Sequence, residues 1–89
     1  MKIDVLIHAE NDASLFDSPE YLLTAWQIAR HSACRVRGIQ SQRDDPKGYD
    51  NQVAITVDAE AFDVEIEQLV RDAIAMNIGS RSFSIRELN

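Results

Sequence analysis

The chain has 89 residues, 45% of them hydrophobic and 27% charged, which makes one ordinary globular domain over 1–89 with no room for a second core. Its apolar runs last only a few residues, against the ~20 needed to cross a bilayer, and Lys2 and Asp4 break up the N-terminal one, so neither a membrane span nor a signal peptide is expected. A net charge of −6 and a single cysteine, Cys34, argue against direct nucleic-acid binding, rule out an internal disulfide and point to a reducing, cytoplasmic setting.

Residues 2–8 alternate, with Ile3, Val5 and Ile7 on one side and Lys2, Asp4, Leu6 and His8 on the other, which predicts a strand with one buried face. Ala9–Asp17 is acidic and free of Gly and Pro; it is longer than most connections, hence a candidate functional loop. Ser18-Pro19-Glu20 reads as a helix start, with a capping hydroxyl, a proline suited to the first turn and a carboxylate at the positive end of the dipole. From there Leu22, Ala25, Trp26, Ala29 and Ala33 fall at helical spacing and predict the buried stripe of a helix reaching about Ala33. Thr24, Gln27 and His31 fall opposite, and His31 suits the negative end of the dipole. On this reading Trp26 is core; it contacts a partner only if the helix is rotated.

The run Cys34–Arg43 changes parity around Gly38 and is polar on both faces beyond it, which predicts an edge strand with a bulge. Asp44–Asn51 is a polar loop carrying Pro46, Gly48 and Tyr49. Tyr49 has no apolar sequence neighbours and is a candidate binding anchor. Gln52–Asp58 alternates cleanly, with Val53, Ile55 and Val57 inward, as a central strand does. A second helix is expected over Ala59–Asn77, with Phe62, Ile66, Leu69, Val70, Ala73 and Met76 buried, Glu67 and Arg71 paired outside, and Gly79 as a left-handed C-cap. Ser80–Leu88 closes the chain as a strand with Phe83 and Ile85 inward.

The order β-α-β-β-α-β gives an α+β domain. It resembles the ferredoxin-like split βαβ arrangement, a four-stranded antiparallel sheet in order 4-1-3-2 with two helices on one face. That superfold hosts many unrelated activities, so each familiar use is sought by its motif. RNA-recognition modules stack bases on sheet aromatics; here those positions hold Asp4, Leu6, His8, Ala54 and Thr56. Metallochaperones of this shape need a CxxC pair, and the one cysteine follows the first helix. Acylphosphatase-like chemistry needs a basic, glycine-rich first loop. ACT-type regulatory domains also favour glycine there; that reading is weakened, not removed.

Side chains with chemistry are sparse. His8, Glu10 and Asp12 alternate at a strand end, a pattern that can ligate a divalent ion, although a solvated acidic loop is the plainer reading and no metal or cofactor is expected. Arg35 and Arg37 beside Cys34 would lower a thiol pKa, but a buried, inert thiol is the plainer reading. With no identifiable nucleophile or base, the chain is not expected to be an enzyme.

Charge remains. No Asp or Glu occurs from Tyr21 to Arg43, where four arginines give +4, so the other residues carry −10. The first and third strands are expected to run parallel, which would bring Glu10, Asp12 and Asp17 beside Asp58, Glu60 and Asp63 as one acidic rim. Such a rim fits a non-catalytic module that binds a protein with a basic, nucleic-acid-binding surface. Small phage-encoded anti-defence inhibitors, some anti-CRISPR proteins among them, act by such mimicry, although no motif identifies the chain as one. The alternative is a self-associating, small-molecule-binding module that forms a homodimer through the sheet face around Leu6, Ala54 and Thr56. A small enzyme or a metal site at His8 comes third.

Overall fold

The computed structural model describes residues 1–8, 19–42, 52–79 and 82–88. Within them the chain forms β1 (Lys2–His8), α1 (Pro19–Ala29), β2 (Cys34–Gln42), β3 (Gln52–Ala59), α2 (Val64–Asn77) and β4 (Phe83–Leu88). The strands make one sheet in the order β2-β3-β1-β4, which is the expected 4-1-3-2 read from the other edge, and every pairing is antiparallel. Both helices pack on the face that carries Ile3, Val5, Ile7, Val53, Ile55 and Val57, and the core between them is continuous. Among the described residues no helix is long and apolar enough to cross a membrane.

The bulge expected near Gly38 is present. Val36 faces Val57 and Gly38 faces Thr56, leaving Arg37 as the extra residue. That residue moves the later part of β2 by one parity, so Ile39 reaches the core beside Ile55. Gly79, at φ 95°, follows α2 as expected, and the N–H groups of Ile78 and Gly79 both donate to the Ile74 carbonyl, at 2.8 and 3.0 Å. Glycine suits this left-handed position because a Cβ would crowd its own backbone.

Both helices depart from expectation in ways that matter for the surface. In α1 the buried residues are Tyr21, Thr24, Ala25 and Ile28, whereas Leu22, Trp26 and Ala29 face outward. Two stripes at helical spacing compete along this segment, and the core takes the one with Tyr21 and the β-branched Thr24 and Ile28. Thr24 is buried without loss because its Oγ1 donates to the Glu20 carbonyl at 2.8 Å. The helix ends at Ala29 rather than Ala33, and the chain turns through His31 into β2.

In α2, Met76 is exposed and Ile74 is buried instead. The helix also starts five residues later than expected. Ala59 stays in the sheet opposite Cys34. Asp63 is the cap, its extended backbone at φ −111° and its Oδ1 accepting the Ile66 N–H at 3.0 Å. Phe62 precedes the helix and packs half-buried against the core.

Candidate functional site

The first and third strands, expected to run parallel, do not. β1 and β3 are antiparallel, with Lys2 opposite Asp58 and His8 opposite Gln52. The last residue of β1 and the last residue of β3 therefore lie at opposite ends of the sheet. Two right-handed crossovers flanking a hairpin require this, because the hairpin reverses the chain between them. Glu10, Asp12, Asp17 and the candidate anchor Tyr49 lie outside the described residues. Glu60 and Asp63 are exposed where β3 gives way to α2.

Asp58 is not free for a partner. Arg37 Nη2 donates to its Oδ2 at 3.2 Å, and the Met1 ammonium lies 3.7 Å from Oδ1. The Arg37 hydrogen bond holds the Asp58 carboxyl below the usual carboxylate range. Arg37 is the extra residue of the bulge, so the position at which β2 changes register also supplies the cation beside Asp58.

Next to it is a cleft of about 330 Å³ lined by Ser32, Ala33, Cys34, Arg35, Asp58 and Glu60. Here the arginines do not activate the thiol: burial pushes the Cys34 pKa up. His31 is held at the same corner. Its Nδ1 accepts the Ala33 N–H at 3.1 Å, and its Nε2 lies 3.3 Å from Glu65 Oε1. The ring thus fastens the end of α1 to the first turn of α2. His8 sits half-buried at the end of β1 beside a cleft with Leu6, Gln52 and Ser82–Ser84. Among the described residues no three His, Cys, Asp or Glu side chains come together as a metal-binding group.

Sequence reasoning missed a buried carboxylate. Asp4, on the sheet face away from the helices, is 5% exposed. It accepts hydrogen bonds from Thr56 Oγ1 at 2.7 Å and Arg86 Nη2 at 2.8 Å, its directly opposed neighbours on β3 and β4. The parity of β1 and β4 already puts Asp4 and Arg86 on one face, but only the register makes them meet. Leu6 and Ala54 on this face are 8% and 2% exposed, so they offer little apolar surface for the sheet-face dimer.

Among the described residues, the exposed large apolar side chains other than Met1 lie on the helices. Leu22, Leu23 and Trp26 of α1 are 62%, 51% and 61% exposed, and Met76 of α2 is 72% exposed. Asn77 Nδ2 donates to Gln27 Oε1 at 2.9 Å, which brings the end of α2 to the turn of α1 that carries Leu23 and Trp26. The Arg30 guanidinium stacks on the indole, 5.1 Å from the ring centroid, which orders the exposed tryptophan and sets a cation beside it. No family model matches the chain, and no significantly similar curated protein is found.

Proposed function

We propose that this chain is a non-catalytic protein-binding module that docks through the outer face of its helical layer. One observation carries the reading: α1 presents Leu22, Leu23 and Trp26 to solvent while burying Tyr21, Thr24 and Ile28. An exposed tryptophan stacked by arginine amid aliphatic chains is the composition of a binding hot spot. The net charge of −6 and the exposed Glu60, Asp63 and Glu65 favour a partner with basic residues around its contact surface. Imitation of nucleic-acid phosphates draws less support, because the parallel β1 and β3 that motivated a single rim are antiparallel. The order β-α-β-β-α-β and the sheet order favour the ferredoxin-like class as the scaffold. A cytoplasmic location belongs to the same reading, consistent with the unpaired, buried Cys34.

The test is affinity capture with immobilised wild type, Trp26→Ala and Val64→Ala, the last removing an exposed apolar chain from α2. A protein retained by wild type and Val64→Ala but lost from Trp26→Ala supports the reading. Equal retention by all three, or by none, overturns it.

A further inference from the structure

We propose that the edge of β4 binds an extended peptide segment of another protein, taken up as a further strand of the sheet with a basic residue opposite Glu87. This surface is separate from the α1 face and stands or falls without it.

The two edges of the sheet differ. Among the described residues β2 and β4 are its outer strands. β2 is blunted, because the bulge at Arg37 interrupts its ladder and the polar Gln40 and Ser41 beyond it are exposed. β4 has no such protection. Phe83–Leu88 contains neither Gly nor Pro, and it pairs with β1 without a break from Phe83 opposite Ile7 to Leu88 opposite Lys2. A regular edge of this kind is what strand addition needs.

The register decides which backbone groups are on offer. The His8 N–H donates to the Ser82 carbonyl at 3.0 Å, which marks His8 and Ser82 as a hydrogen-bonded pair of the antiparallel ladder. Such pairs alternate with non-bonded ones, so Leu6–Ser84 and Asp4–Arg86 are bonded pairs too. Phe83, Ile85 and Glu87 hold the intervening positions and turn their N–H and C=O groups away from β1. These groups recur along the edge every two residues, about 6.8 Å apart. An extended peptide backbone matches that array.

Side chains narrow the class of segment. Phe83 and Ile85 are half-buried against the core, on the helical side of the sheet. Beside them is a cleft of about 400 Å³ lined by Glu67 and Arg71 of α2 and by Ser82, Phe83, Ser84 and Ile85. Residues opposite Phe83 and Ile85 on an added strand would point to the same side, so apolar side chains there would enter the cleft. Charge sets the remaining position. Arg71 is bonded to Glu67 at 3.0 Å and Arg86 to Asp4 at 2.8 Å, so both bases are matched within the chain. Glu87 is exposed and joins no ion pair among the described residues. A lysine or arginine opposite it supplies the missing charge, in keeping with the net charge of −6. For antiparallel addition the segment reads basic, any, apolar, any, apolar. A second β4 does not fit this pattern, because its only base, Arg86, lies on the other face with Asp4.

Amide hydrogen exchange, followed by residue-resolved NMR, tests this with the capped peptide Thr-Lys-Thr-Val-Thr-Val-Thr at about 1 mM. In the chain alone the Phe83, Ile85 and Glu87 amides should exchange fast and those of Ser84 and Arg86 slowly. The peptide should slow the first three about tenfold or more. The same peptide N-methylated at lysine and both valines, which removes the N–H groups facing β4, should slow none of them. Glu87→Lys should weaken binding of the lysine peptide about threefold, and a peptide with glutamate in place of lysine should regain it. No slowing at the three amides overturns the proposal, as does slowing that the methylated peptide reproduces. Protection of the three without peptide also overturns it: a second copy is the occupant if that protection grows with chain concentration, and the chain itself covers the edge if it does not. Peptide-induced shifts confined to Leu22, Leu23 and Trp26 overturn it by assigning the peptide to the α1 face. Binding indifferent to Glu87→Lys overturns the basic position.

Discussion

Asp4 and Arg86 stand 82 positions apart in sequence, yet Arg86 Nη2 donates to the Asp4 carboxylate at 2.8 Å across the β1–β4 pair. The side chain of the acid is 7% exposed and that of the base 51%. Their roles are therefore unequal: Asp4 has given up its hydration, while Arg86 keeps much of its own. Removing the arginine leaves a buried carboxylate that the neutral Thr56 hydroxyl must satisfy without a cation beside it.

Arg86→Met is expected to destabilise the fold by about 1–2 kcal/mol, discounted for the half-exposed guanidinium. Asp4→Asn combined with Arg86→Met should cost less than the two single changes added together, because the neutral side chain no longer needs the cation. Urea denaturation of the four proteins measures the coupling.

The rotation of α1 is testable by stability alone. Ile28→Ala empties a fully buried site and should cost about 2–5 kcal/mol. Leu22→Ala, on the stripe that faces solvent, should stay within about 0.5 kcal/mol of wild type. The reverse ranking would mean that the helix buries its other stripe.

The two ends of α2 make separate contributions. Asp63→Ala removes the side-chain acceptor for the Ile66 N–H and should cost about 1 kcal/mol. Gly79→Ala meets nothing within 4 Å, so any loss comes from the backbone at φ 95° and should also be about 1 kcal/mol. Thermal denaturation with far-ultraviolet dichroism reads both, and the double variant should show additive losses.

Asp58 links stability to acid pH. Its carboxyl is held below the ordinary range in the folded chain, first by the Arg37 hydrogen bond, so the folded state binds that proton more weakly than the unfolded state does. The stabilisation is then present in full above the unfolded value of about 4 and is lost as pH falls through the lower folded value. Denaturation midpoints between about pH 6 and pH 2 should fall less steeply for Asp58→Asn than for wild type. Arg37→Gln should flatten the same window, since it removes the main cause of the shift.

How much of this was legible in the sequence depends on how local the determining physics is. Strand parity is fixed within a few residues, and so Ile3, Val5, Ile7, Val53, Ile55 and Val57 could be assigned to the core from alternation alone. The bulge was legible because a parity change inside an otherwise regular run marks one inserted residue. The glycine after α2 was equally plain, since a left-handed residue is a single-residue requirement.

Three features needed the tertiary structure. Both stripes of α1 satisfy helical spacing, and only the volume between the helix and the sheet chose Tyr21 and Ile28 over Leu22 and Trp26. The start of α2 turned on whether Ala59 kept its place in the β2–β3 ladder, a contact with Cys34 twenty-five positions away. The direction of β3 relative to β1, antiparallel where parallel was expected, follows from the whole path of the chain through a helix and a hairpin. The sequence by itself determined the elements, their order and the inward faces of the central strands, because these follow from side-chain periodicity along a short stretch. Only the tertiary structure decided which helix face meets solvent and which charges meet one another, because those outcomes depend on packing and register between segments that no local pattern encodes.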